Sequence, residues 1–218
     1  LSYIPAGTFL MGSESGQDDE QPVHSVTLDA FWMDQTEVTN AMYALCVTDG
    51  ACSPPVSTRS NTRSSYYGDA AYTDYPVIKV DWSQATAYCA WAGRELPTEA
   101  QWEYAARGGL AGAIYPWGDE SPSCTLGAQN GAQYDSCSPR DTIAVGSFAP
   151  NGYGLYDMAG NAWEWVTDWS ASYSSAAVEN PTGPASGEYR LLRGGSWLHD
   201  EFYLRVSDRI GTDPGGAD

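Results

Sequence analysis

The run Asp157-Met158-Ala159-Gly160-Asn161-Ala162-Trp163-Glu164 carries the clearest chemistry in this chain. A hard cation such as calcium takes carboxylate and backbone carbonyl oxygens, and a glycine turn lets carbonyls face inward. Asp157 and Glu164 offer side-chain oxygens, and Gly160 and Ala162 offer carbonyls. The competing reading makes Trp163 and Trp165 core aromatics and leaves the two acids to cap the turn. Soft-metal sites find less support, because His24 and His199 stand alone and no CxxC spacing occurs. A hydrolase finds none, since neither GxSxG nor a Ser/His/Asp grouping is present.

The five cysteines divide unevenly. Cys46 and Cys52 bracket the loop VTDGA, and Cys124 and Cys137 bracket a Gly/Gln/Asn-rich loop. Both pairs read as disulfides that staple loops unable to build their own core, which implies an oxidising compartment. Free thiols in a reducing one are the alternative. Cys89 is left over. After Arg193-Gly194-Gly195-Ser196, the residues Trp197, Leu198, His199, Asp200, Glu201, Phe202 and Tyr203 mix rings, acids and an imidazole. Rings give contact area at low entropy cost and polar groups give direction, so this set suits a ligand-facing surface. Alternatively, it is a solvated loop with Phe202 and Tyr203 turned into the core.

Strands are expected in SYIPAGTFLMGS (2–13), in HSVTLDAFWMD (24–34), in PVIKVDW (76–82) and in RLLRGG (190–195). Thr39-Asn40 opens a short helix, AMYALCV. Ser83 is the expected N-cap of the helix QATAYCAWA, with Gly93 as its stop. Thr98-Glu99-Ala100-Gln101 forms a capping box for a third helix that Gly108-Gly109 ends. Residues 53–76, rich in Ser, Thr, Tyr and Pro, read as a long loop. Few helices with short strands and many loops indicate an α+β domain.

The 218 residues fit one domain with a sizeable core, and 42% hydrophobic content with nine Trp and fifteen Tyr argues for a folded chain. A net charge of −18 argues against nucleic acid or an anionic membrane as partner. No run approaches the ~18 apolar residues of a membrane span.

Three motifs, GRELPTEAQWEYAARGG (93–109), NGYGLYDMAGNAWEW (151–165) and RGGSW (193–197), resemble the formylglycine-generating-enzyme family, the sulfatase-modifying-factor domain. The resemblance runs from IPAGTFLMG to RGGSW and implies a loop-rich, C-type-lectin-like fold with short antiparallel strands. It also implies calcium, because Asp157, Gly160, Ala162 and Glu164 match a family calcium site, with Asp157 in place of an amide. A second family site maps onto Asn130, Gly131, Asp141 and Ile143, although the loop length departs from the pattern. In the family a cysteine at the position of Cys89 pairs with one in a final GFRC-like strand. The single domain 1–218 is expected to lack that strand, which leaves Cys89 a buried thiol or one whose partner lies elsewhere.

The family's oxidases carry two copper-binding cysteines just after RGGS-aromatic. Here Leu198-His199-Asp200-Glu201-Phe202-Tyr203-Leu204 occupies that place, in a segment about three residues shorter, and no cysteine lies beyond Cys137. Copper(I) prefers thiolate sulfur, so no copper is expected. Fold relatives diversified by retroelements vary this stretch to bind new ligands. The expected protein is therefore a non-catalytic, extracellular or cell-surface binding module. It is calcium-stabilised and meets a protein or glycan ligand through residues 198–203. The alternatives are a self-associating surface subunit and a copper-dependent oxidase.

Overall fold

Glycines and prolines interrupt this sequence so often that no strand among the described residues exceeds six residues. The computed structural model describes residues Leu1–Ala217. Among these residues eight strands lie in three small sheets, with three short α-helices between them. β1 (Ser2–Ile4) pairs antiparallel with β4 (Phe31–Met33). β2 (Gly7–Met11) pairs antiparallel with β3 (His24–Leu28), which takes β6 (Val178–Glu179) in parallel on its other edge. β7 (Arg190–Arg193) is the middle strand between β5 (Glu164–Trp169) and β8 (Ile210–Thr212), both antiparallel to it. The architecture is the loop-rich α+β arrangement expected.

Punctuation decides the helices. Thr39 accepts from the Met42 N–H and opens α1 (Asn40–Thr48). α2 (Trp82–Trp91) begins earlier than expected, because Asp81 rather than Ser83 is its cap, in a reciprocal box with Gln84. An ionised carboxylate is at least as good a cap as a hydroxyl, so the first available acid ends the preceding segment. That segment, 76–81, is consequently no strand. Its only ladder-like pairing among the described residues is one bridge, Thr39 with Pro76, and the Val77 N–H bonded to the Val38 carbonyl; scattered bonds from Val56, Tyr66 and Trp165 hold the rest. α3 (Glu99–Arg107) has the expected Thr98–Gln101 box and ends on left-handed Gly108.

α3 lies in the middle of the molecule. Trp102, Ala105 and Ala106 join Ile4, Val26, Leu155, Val166, Leu191 and Val206 in the main core. Its charged residues Glu99, Glu103 and Arg107 are buried as well. Buried charge survives only when paired and hydrogen-bonded. Arg107 pairs with Glu103 inside the helix and bonds the Gly12 carbonyl, and the other two cations, Arg193 and Arg209, come from the chain's C-terminal third.

Candidate functional site

Arg193 is fully buried and is the main partner of α3. Its guanidinium donates to Glu103 at 2.7 Å and Glu99 at 3.4 Å, and to the carbonyls of Val206 and Ser207. Arg209 completes the network with two bonds to Glu99, and Arg107 takes the other Glu103 oxygen. After Arg193 the chain turns tightly. A Cβ on Gly195, at φ 78°, would lie 2.8 Å from both the Leu204 side chain and the Tyr203 carbonyl oxygen. The Arg-Gly-Gly motif is thus a weld between β7, α3 and the segment 203–207.

The weld fixes residues 197–204. Trp197 is buried with Tyr66, Ile78 and Ala162, so it forms the floor of this region rather than part of a ligand-facing surface. Leu198, Asp200, Glu201 and Phe202 are exposed, and His199 and Tyr203 are half-buried. Asp200 accepts from the Phe202 N–H and starts a single turn over Glu201–Leu204. The His199 Nδ1 lies 2.8 Å from the Ser196 Oγ, and its ring meets Trp163 and Tyr203 edge-on. The imidazole is held in place by these contacts. Leu204 is fully buried among Tyr115, Ala132 and Ala159.

The same weld holds the acidic turn. The Gly160 N–H donates to the Gly194 carbonyl, and the Trp197 N–H to the Asn161 carbonyl. Asp157 and Asn161 both have left-handed φ, and a Cβ on Gly160 would sit 2.3 Å from the Gln133 carbonyl oxygen. This turn brings Asp157 and Glu164 beside a third carboxylate, Glu37, which sequence reasoning missed. One Asp157 oxygen accepts from the Gly146 N–H, and one Glu164 oxygen accepts from the Trp102 indole. Asp157 Oδ1 and both Glu37 oxygens are buried with no donor, even though the Glu37 residue as a whole keeps some exposure.

Burial raises the Glu37 carboxyl well above its usual range, and the charges of Asp157 and Glu164 add to the effect. Burial pushes Glu164 up to about 7, the Trp102 N–H working against that and the Asp157 charge with it. Asp157 is raised too, by burial, with the Gly146 N–H opposing. Three acids crowded in low dielectric need a shared proton or a cation. The orphaned oxygens fit a hard cation. Among the described residues, however, no group of three or more Asp, Glu, His or Cys side chains is placed to hold a metal ion. A cation here would draw on the Gly160 and Ala162 carbonyls beside the carboxylates.

The second expected set does not fit a cation. The Asn130 side-chain amide donates to the Ser121 carbonyl, while the Asn130 backbone carbonyl accepts from the Ser123 N–H. Ile143 exchanges both its N–H and its carbonyl with the Asn161 side chain. The Gly131 N–H donates to the Ala128 carbonyl. Asp141 is buried against Arg63 at 3.0 Å, with its oxygens occupied by other donors. The four residues do not form one donor set, because the loop folds Asp141 toward residues 60–63 instead.

Cys46–Cys52 and Cys124–Cys137 are disulfides, as their spacing suggests. Cys89 is free, and burial pushes its thiol up to about 11. It lines a cleft of about 1070 Å³ that β4 and β5 border with Tyr43, Tyr88 and Glu37. No helix among the described residues is long and apolar enough to cross a membrane.

Comparison with known proteins agrees with this geometry. The sulfatase-modifying factor enzyme 1-like domain matches residues 1–218. A formylglycine-generating enzyme of Streptomyces coelicolor is 37% identical over 262 aligned residues, covering 97% of this chain and 83% of the relative. The serine/threonine-protein kinase pkn1 of Chlamydia pneumoniae is 38% identical over 231 residues, covering all of this chain but 36% of that protein. This chain therefore spans about a third of the kinase-named relative. Among solved structures, Treponema denticola variable protein 1 superposes with a TM-score of 0.80 at 28% identity, over 100% of this chain and 90% of that one.

Proposed function

Because the chain belongs to the sulfatase-modifying factor enzyme 1-like family but keeps only that family's framework around Arg193, we propose that it is a non-catalytic binding module. One observation carries this reading. The place after the Arg-Gly-Gly turn, where the resemblance puts two copper-binding thiolates, holds His199 locked to Ser196 and Leu204 sunk in the core. Among the described residues the one free thiol is Cys89, on α2. One imidazole does not supply the sulfur that copper(I) prefers.

In this reading Leu198, Asp200, Glu201 and Phe202 meet a protein or glycan ligand, and His199 and Tyr203 set the shape of the surface. A calcium ion, held by Asp157, Glu164 and the Gly160 and Ala162 carbonyls with Glu37 beside it, supplies positive charge that rigidifies the turn beneath. Its support is the set of orphaned carboxylate oxygens. The two disulfides favour an extracellular or cell-surface setting. The test is an assay of cysteine-containing peptides with copper and oxygen. No aldehyde product is expected, and turnover would overthrow the reading.

Self-association is a second reading with its own observation. Tyr3 and Trp32 pair across β1 and β4 while remaining 55% and 64% exposed. Sedimentation at increasing concentration decides it, since a constant monomer mass rules it out.

A further inference from the structure

The structure assigns the second cation position to the chain itself: we propose that the guanidinium of Arg63 does the work that the resemblance gave to a second calcium ion. Asp141 Oδ2 accepts from the Ser60 hydroxyl at 2.6 Å, the Thr62 N–H at 2.7 Å and the Thr62 hydroxyl at 2.6 Å. Its Oδ1 accepts from the Thr142 N–H at 2.8 Å and faces Arg63 Nη1 at 3.0 Å. Calcium needs six to eight oxygens, and this carboxylate has none to offer while Arg63 is present.

Arg63 is as fully engaged. Its two terminal nitrogens reach the Thr142 hydroxyl and carbonyl. The guanidinium carbon lies 4.7, 5.1 and 5.6 Å from the ring centres of Tyr72, Tyr75 and Tyr66. Aromatic faces attract a guanidinium at these distances. The arrangement is a cation site with a covalently tethered occupant, carboxylate on one side and three rings around it. It joins the loop 53–76 to the loop 139–143, two segments with no strand or helix linking them. Tyr66 carries the tie further, since it donates to the Pro76 carbonyl and packs on Trp197 and Ala162. Arg63 thereby supports the floor of the surface proposed for ligand contact.

The part of this inference that counts metal ions rests on the calcium reading, and the experiment separates the two. Wild type and Asp141→Asn are titrated calorimetrically with calcium chloride alone. Arg63→Met, Asp141→Asn and the double variant are melted in parallel. We expect no more than one calcium per chain, unchanged in Asp141→Asn. Each single substitution should lower the melting temperature by about 6–12 °C, as breaking a buried ion pair does. The double variant should lose little more than the worse single. A second calcium that disappears with Asp141→Asn overturns the inference, and so do additive losses. Uptake of no calcium at all sinks the calcium reading only, because the melting cycle still decides Arg63. Should Arg63→Met fail to fold, the titration of wild type against Asp141→Asn decides the inference alone.

Discussion

Arg193 shows how one residue can look catalytic and be architectural. Its motif neighbours resemble those of an oxidase, yet its contacts point inward: hydrogen bonds to two glutamates of α3 and two carbonyls of the segment 206–207, and contact with the Trp102 ring. Arg193→Met would leave one Glu103 oxygen and two carbonyls buried without donors. It should cost about 3–5 kcal/mol, read as a lower urea midpoint with an unchanged slope. A loss within experimental error would mean that the motif is not the weld described here. Glu37 shows the reverse case. A lone acid in QTEVTN looks like a solvated residue, and only the folded chain reveals that its oxygens are sealed beside two other carboxylates. Asp141 was singled out as a calcium ligand, but its pairing with Arg63 was equally hidden, since nothing local links residues so far apart in the chain.

Helix punctuation was the most legible level. The Thr98–Gln101 box lies wholly within four consecutive residues, so the start of α3 could be read directly. Thr98→Ala should cost about 1 kcal/mol, measurable by denaturant unfolding. No loss would show that the buried face of α3, rather than its cap, sets its start. The start of α2 was misread because Asp81 and Ser83 are both competent caps, and only the Gln84 side chain returning to the Asp81 N–H distinguishes them. The run 76–82 has strand-like composition but finds no neighbouring strand along its length. A strand needs a partner as well as a propensity.

Across the whole molecule, family and fold were readable because the motifs mark the welds that make the fold: α3, the acidic turn and the Arg-Gly-Gly turn. Ligand contacts were not, since surface residues are constrained by a partner that the chain does not encode. The acidic turn joins these welds, so its charge state should be felt globally. With calcium well above its dissociation constant, the melting temperature should rise by roughly 5–10 °C over chelated protein. Replacing Asp157 by Ala should abolish that rise. Equal melting with and without chelator, with no metal by elemental analysis, would remove calcium from the account.

The central proposal is that the chain presents a surface where the resemblance puts two copper-binding thiolates. Anaerobic titration with copper(I) against a competing chelator tests it most directly. The account predicts that the chain leaves copper(I) with the chelator and that Cys89→Ser changes nothing. One tightly held copper(I) per chain, lost when His199 is replaced by Ala, would contradict it.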